Sequence, residues 1–171
     1  MIKMSEFFQF LGENRIEYKR YDHPAVYTVK EARQLVPELP AAKTKNLFLR
    51  DKKGLRHFLV IVPADKRIDI KALPRVVGSD RLSFGSAQRL KKYLGVEPGA
   101  VTLFAIFNDP DHNVELIVDE VLWQAEAFQF HPLVNTSMLV VSRENVKRFL
   151  DLTGHAAKML AVPEQIIPEG F

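Results

Sequence analysis

Apolar positions come in short runs, separated by charged or turn-forming breaks. "SEFFQFLGEN" (5–14) brings Phe7, Phe8, Phe10 and Leu11 near one helical face, with Ser5 placed to cap it. "RIEYKRYDHP" (15–24) alternates as a strand does and ends at Pro24. In "TVKEARQLVP" (28–37), Thr28 and Glu31 stand in capping-box spacing and Pro37 closes a predicted helix. In "AAKTKNLFLRDKKGLRHFLVIVP" (41–63), two strand-like runs flank the turn "DKKG". "DIKALPRVVG" predicts a short helix disturbed by Pro74, and "RLSFGS" a strand. "SAQRLKKYLG" predicts a helix from the Ser86 cap to Gly95. "AVTLFAIFND" and "NVELIVDE" read as two strands joined by "NDPDHN". "AFQFHP" and "TSMLVVS" are two more, "SRENVKRFLDLTG" a helix between Ser142 and Gly154, and "AAKMLAV" a last strand. Helices interleaved with hairpin-linked strands predict an α+β fold: one domain over 1–171, with a mixed, mainly antiparallel curved sheet flanked by helices.

One position breaks the pattern. In "KTKNLFLR", the two-residue strand repeat puts Lys45 on the same face as Leu47 and Leu49. A lysine in that register either snorkels to solvent at the sheet edge or meets an anion. Charge along the chain adds to the question. Residues 41–92 hold fourteen Lys/Arg against four Asp/Glu, a net of +10, while residues 93–171 hold four against eleven, a net of −7. The overall +3 thus conceals a basic block suited to phosphate or nucleic acid, although any single lysine in it can be plain solvated surface.

Composition narrows the chemistry. With 171 residues, 47% hydrophobic and 26% charged, the chain suffices for one globular core. Cys is absent, which excludes disulfides, a thiolate nucleophile and Cys-type zinc sites. The N-terminal residues lack an apolar signal core and no apolar run reaches transmembrane length, so a cytoplasmic enzyme or binding protein without a membrane partner is expected. His23, His57, His112, His131 and His155 lack metal-helix spacing, and no nucleophile elbow, phosphate loop or dinucleotide fingerprint occurs. No metal or cofactor is therefore expected. Three features remain: Lys45–Asn46 at the mouth of a strand; the turn "GVEPGAVT" (95–102); and "FHPLVNTSM" (130–138), where His131, Asn135 and Thr136 interrupt an apolar context.

In order and spacing, "YDHPAVYTVKEA" (21–32), "KTKNLFLRDKKGLRHFLVIVP" (43–63), "RLSFGSAQRLKKYLGVEPGAVTLFAIFND" (81–109) and "FHPLVNTSMLVVS" (130–142) resemble the YbaK/ProX-type prolyl-tRNA editing family, whose domain also occurs inserted in bacterial prolyl-tRNA synthetases. The chain resembles most the free-standing ProX branch, hydrolases of alanyl-tRNA(Pro). The resemblance implies an aminoacyl-tRNA deacylase acting on the acceptor end of tRNA(Pro), with prolyl-tRNA synthetase as a further partner. It implies that the essential lysine is Lys45, followed by Asn46, with Thr28 and Val29 near the aminoacyl group. The family's glycine loop, usually G-x-x-x-P, falls on Gly99 to Leu103 and includes Thr102; Leu103 replaces the proline, so a looser turn is expected. His131 matches the family's histidine, and Asn135 and Thr136 its polar pair. A tight apolar pocket using Val29 and Leu47 would exclude proline. A non-catalytic RNA-binding protein of the same fold, a deacylase of another aminoacyl-tRNA and a hydrolase of small aminoacyl esters are the alternatives.

Overall fold

The computed structural model describes residues 4–24 and 38–168. Helix α1 (Met4–Glu13) buries Phe7 and Leu11 and leads to β1 (Lys19–Asp22). Strands β2 (Thr44–Arg50) and β3 (His57–Pro63) form a hairpin, in which Lys45 lies opposite Val62 and Arg50 opposite His57. The hairpin loop is held by Asp51, whose Oδ1 accepts from the amides of Leu55 (2.8 Å) and Arg56 (3.0 Å). Then come α2 (Leu73–Val77), β4 (Ser83–Phe84) and α3 (Ala87–Leu94). A 3-10 helix (Leu103–Asn108) precedes β5 (Val114–Asp119) and α4 (Glu120–Trp123). Strands β6 (Ala127–Phe130) and β7 (Ser137–Ser142), helix α5 (Arg143–Thr153) and β8 (Ala157–Leu160) complete the order.

The strands form two sheets. One has the order β4-β2-β3-β5-β8, with β3, β5 and β8 mutually parallel and the β2 pairings antiparallel. The other is the antiparallel sheet β1-β7-β6. A parallel bridge between Ala42 and Phe128 joins them. Period-two alternation divides the core between the two faces of the larger sheet. Leu59 and Ile61 of β3 face a large cluster with Phe7, Phe104, Phe128 and Phe149, whereas Phe58, Val60 and Val62 face a smaller one with Ile68, Leu73 and Val162. Among the described residues, no helix is long and apolar enough to cross a membrane.

The mixed, mainly antiparallel α+β architecture agrees with the sequence reading, but several elements differ. Residues 103–108 form a 3-10 helix, not a strand, because Leu103, Phe104, Ala105 and Ile106 are all buried and Thr102 caps the turn through its Oγ. The segment 113–120 is therefore not half of a hairpin; β5 pairs in parallel with β3 and β8. Pro74 does not disturb α2, since it lies in the first turn, where its missing N–H removes no helical bond. Ser5 lies inside α1 and not at its cap. The helix expected over 28–37, with Thr28 and Val29, falls outside the described residues.

Candidate active site

Because β3, β5 and β8 run parallel, their carboxyl ends share one edge of the sheet, where ligands of α/β sheets commonly sit. Antiparallel β2 starts at that edge. Its outer side is lined by β6 at Ala42, where Gln129 N–H donates to Ala42 O (2.9 Å), and again by β4, where Gly85 N–H donates to Phe48 O (2.9 Å). Between these contacts, residues 45–47 have no strand on that side among the described residues.

A chain of hydrogen bonds fixes Asn46 at this gap. Thr44 Oγ donates to Gln129 O (2.7 Å), Asn46 Nδ2 donates to Thr44 Oγ1 (3.2 Å), and Asn46 Oδ1 accepts from Leu103 N–H (2.9 Å). The last contact corrects the expectation of a looser turn. Leu103 is 1% exposed and uses an N–H that a proline at that position would lack. The preceding turn is tight as well. Ala100 N–H donates to Glu97 O (3.0 Å), with Pro98 and Gly99 at the centre, and Gly99 has φ +90°, the left-handed value a type II turn requires there. A Cβ on Gly99 would stand 3.6 Å from Asn135 Nδ2, so the 99 turn and the 131–137 loop meet.

That loop is held from below. His131 Nδ1 lies 2.9 Å from Ser137 O; since a carbonyl only accepts, Nδ1 carries the hydrogen and Nε2 is left as an acceptor. Burial pushes the His131 pKa down, only partly offset by the Ser137 carbonyl, so the ring is neutral at neutral pH. Ser137 Oγ donates to Asp22, which together with Arg20 holds that carboxyl below its ordinary value. His23, with its ring 6.2 Å from that of His131, donates its backbone N–H to Thr136 O (2.9 Å). Its side-chain Nδ1 is engaged with Pro24 O (2.7 Å), while buried Nε2 has no partner among the described residues. Sequence reasoning passed over His23; its only signal was a His–Pro step at a strand end.

Lys45 points to the other face of β2, with Leu47. Its ammonium donates to Lys66 O, and Lys66 Nζ in turn pairs with fully buried Asp119 (2.6 Å). Leu47 packs against the smaller cluster. The structure ties Asn46 to the amide of Leu103 and brings the Gly99 turn against Asn135, in the loop that His131 opens and Thr136 continues, with Thr102 fully buried as the cap of the adjoining 3-10 helix. Lys45 and Leu47 flank the same stretch of β2 from its opposite face. A ligand lying edge-on against residues 45–47 would meet side chains from both faces. Among the described residues, no three His, Asp or Glu side chains are arranged to hold a metal ion.

The carboxylates of the basic block mostly serve turns. Besides Asp51 in the hairpin loop, Asp69 accepts from the amides of Lys71 and Ala72, and Asp80 from that of Lys52. Ion pairs of the block draw instead on Glu38, Glu97, Glu115 and Asp119. Among the described residues Lys52, Lys53, Arg75 and Arg81 have no ion-pair partner.

A family profile described as "Aminoacyl-tRNA editing domain" matches residues 23–149. The prolyl-tRNA editing protein ProX of Acetoanaerobium sticklandii is 37% identical over 150 residues, which cover 88% of this chain and 92% of ProX. Prolyl-tRNA synthetase associated domain-containing protein 1 of Danio rerio is 34% identical, covering 91% of this chain and 85% of the relative. Two solved structures share the fold. Hypothetical protein APE2540 superimposes with a TM-score of 0.68 at 19% identity, covering 92% of this chain and 99% of its own. A candidate trans-editing enzyme for prolyl tRNA synthetase gives 0.65 at 21% identity, covering 97% and 99%. With a family match over most of its length, and relatives above 30% identity along nearly all of it, this chain belongs to the aminoacyl-tRNA editing domain family.

Proposed function

We propose that the protein is a trans-acting editing hydrolase that deacylates mischarged tRNA(Pro), alanyl-tRNA(Pro) above others. The observation that carries this reading is the edge of β2 at 45–47, which has no strand partner among the described residues and is tied through Asn46 to the Leu103 amide, just after the Gly99 turn that meets Asn135. The bond to be broken is an ester, already activated relative to an amide, so a positioned water suffices. Water adds to the carbonyl carbon, the bond to the terminal ribose oxygen breaks, and that oxygen leaves with a proton, the neighbouring ribose hydroxyl assisting. Lys45 holds a phosphate or the developing oxyanion, and the Gly99 backbone orients the adenosine or the water. His131 Nε2 accepts from a ribose hydroxyl. Asn46, Thr102, Asn135 and Thr136 shape the nucleotide side, while Thr28, Val29 and Leu47 bound the amino acid.

Alanine as substrate follows from the energetics of selection. A prolyl site gains only about 1–3 kcal/mol per methylene against a smaller amino acid, so errors with alanine pass. A second, smaller pocket removes them. The synthetase that makes the error supplies the substrate, and the tRNA acceptor end is the partner.

Single-turnover deacylation of a panel of mischarged tRNAs, by the parent and by Lys45→Ala, tests the reading. Alanyl-tRNA(Pro) should be hydrolysed fastest, and the variant should lose about 10²–10³-fold in rate, the value of one well-placed donor, with its melting unchanged. Hydrolysis of another member of the panel instead would reassign the substrate. No hydrolysis of any member would leave only RNA binding, and an unchanged variant rate would remove Lys45 from the site.

A further inference from the structure

We propose that Phe84 is a stacking platform for a base in the unpaired 3′ end of the bound RNA, just outward from the reacting end; this rests on the aminoacyl-tRNA reading above. Phe84 ends β4 and is 59% exposed, whereas Leu82, two residues earlier, is 4% exposed in the smaller core cluster. Its backbone is well held. Phe84 pairs with Leu49, and Gly85 N–H bonds to Phe48 O. Among the described residues, neither an aromatic ring nor a guanidinium stacks on it.

Position gives this exposed ring its meaning. A lone exposed apolar side chain needs no explanation. Phe84, however, closes one end of the stretch of β2 that has no strand partner among the described residues, and through its partner Leu49 it projects on the same face as Lys45. Four residue steps along the strand separate Leu49 from Lys45, about 13 Å at the usual rise. A short unpaired strand of nucleotides bridges that distance. Arg81 is exposed just upstream in the chain, and Arg50, opposite Ser83, lies on the alternate face of the strand pair. An exposed aromatic face beside a strand edge is a means of holding single-stranded nucleic acid without reading its sequence, because every base offers a π-face.

The test compares the parent, Phe84→Ala and Phe84→Trp in single-turnover deacylation of alanyl-tRNA(Pro) and of 3′-alanyl-adenosine, which lacks the preceding nucleotides. Phe84→Ala should raise the enzyme concentration for half-maximal rate about tenfold on the tRNA, with a loss confined to that substrate, and Phe84→Trp should restore it. Equal half-maximal concentrations, or the same loss on the nucleoside ester, would overturn the platform. A second measurement is independent of catalysis. An uncharged ACCA oligonucleotide should quench the fluorescence of the Phe84→Trp protein more than that of the parent, whose single tryptophan is Trp123. Quenching in a protein that hydrolyses neither ester would sustain the platform while sinking the deacylase reading; absence of extra quenching would sink the platform. If sedimentation shows the parent dimeric and Phe84→Ala monomeric, the ring is a contact between copies and the proposal fails.

Discussion

His131 is placed so that its chemistry is decided by what surrounds the ring. Burial lowers its pKa, and the same cause ranks first for His57 and His155. As pH falls below about 6.5, the ordinary histidine value, the unfolded chain takes up protons that the folded chain refuses. Stability is thus full above that pH and declines toward the lowered folded values. A urea midpoint lower at pH 5.5 than at pH 7.5 is expected, with His131→Asn removing part of the slope; a midpoint that rises on acidification would contradict it. At this scale the sequence singles out Lys45 and His131 because each breaks a pattern. The partners were not legible. Asn46 reaches Leu103 across 57 positions, and Lys45 finds a carbonyl 21 positions away, contacts that arise only from the meeting of loops.

The step from β4 to α3 shows how tightly an element boundary can be specified. Ser86 caps α3 by accepting from Arg89 N–H, and Gly95 ends it with a left-handed residue. One residue before the cap, a Cβ on Gly85 would lie 2.5 Å from the ring of Phe48, which is 4% exposed. Gly85→Ala must therefore displace a core ring or the strand edge. Such overpacking costs about 1–3 kcal/mol, to be read as a lower urea midpoint with unchanged slope; an unaltered midpoint would mean that β4 yields freely. Helix ends at Ser86, Gly95, Ser142 and Gly154 were readable because capping is local chemistry. The 103–108 segment was not, since an unbroken apolar run fits a strand and a fully buried helical turn equally well.

Across the whole molecule, the basic block survives folding as an electrostatic surface. Three of its own carboxylates bind backbone amides, and among the described residues Lys52, Lys53, Arg75 and Arg81 have no ion-pair partner that would compete with phosphates. Binding of tRNA should weaken linearly in log–log terms as salt rises, and the slope should shrink by about 1 for each cation neutralised that contacts a phosphate. A flat salt response in a filter-binding or anisotropy titration would remove the surface from the interface. The +10 imbalance was visible in the sequence; which cations stay unpaired depended on turns that only the fold displays. The division into two sheets was likewise hidden, because nothing local marks the Ala42–Phe128 bridge. That bridge has a mechanical side. Asn46 and Lys45 belong to the five-stranded sheet, whereas His131 and Asn135 lie in the loop between two strands of the other, and the sheets share the large core cluster as well as that bridge. A substrate bound as proposed would act as a rivet between the two sheets, so occupancy would tighten regions well beyond those it touches.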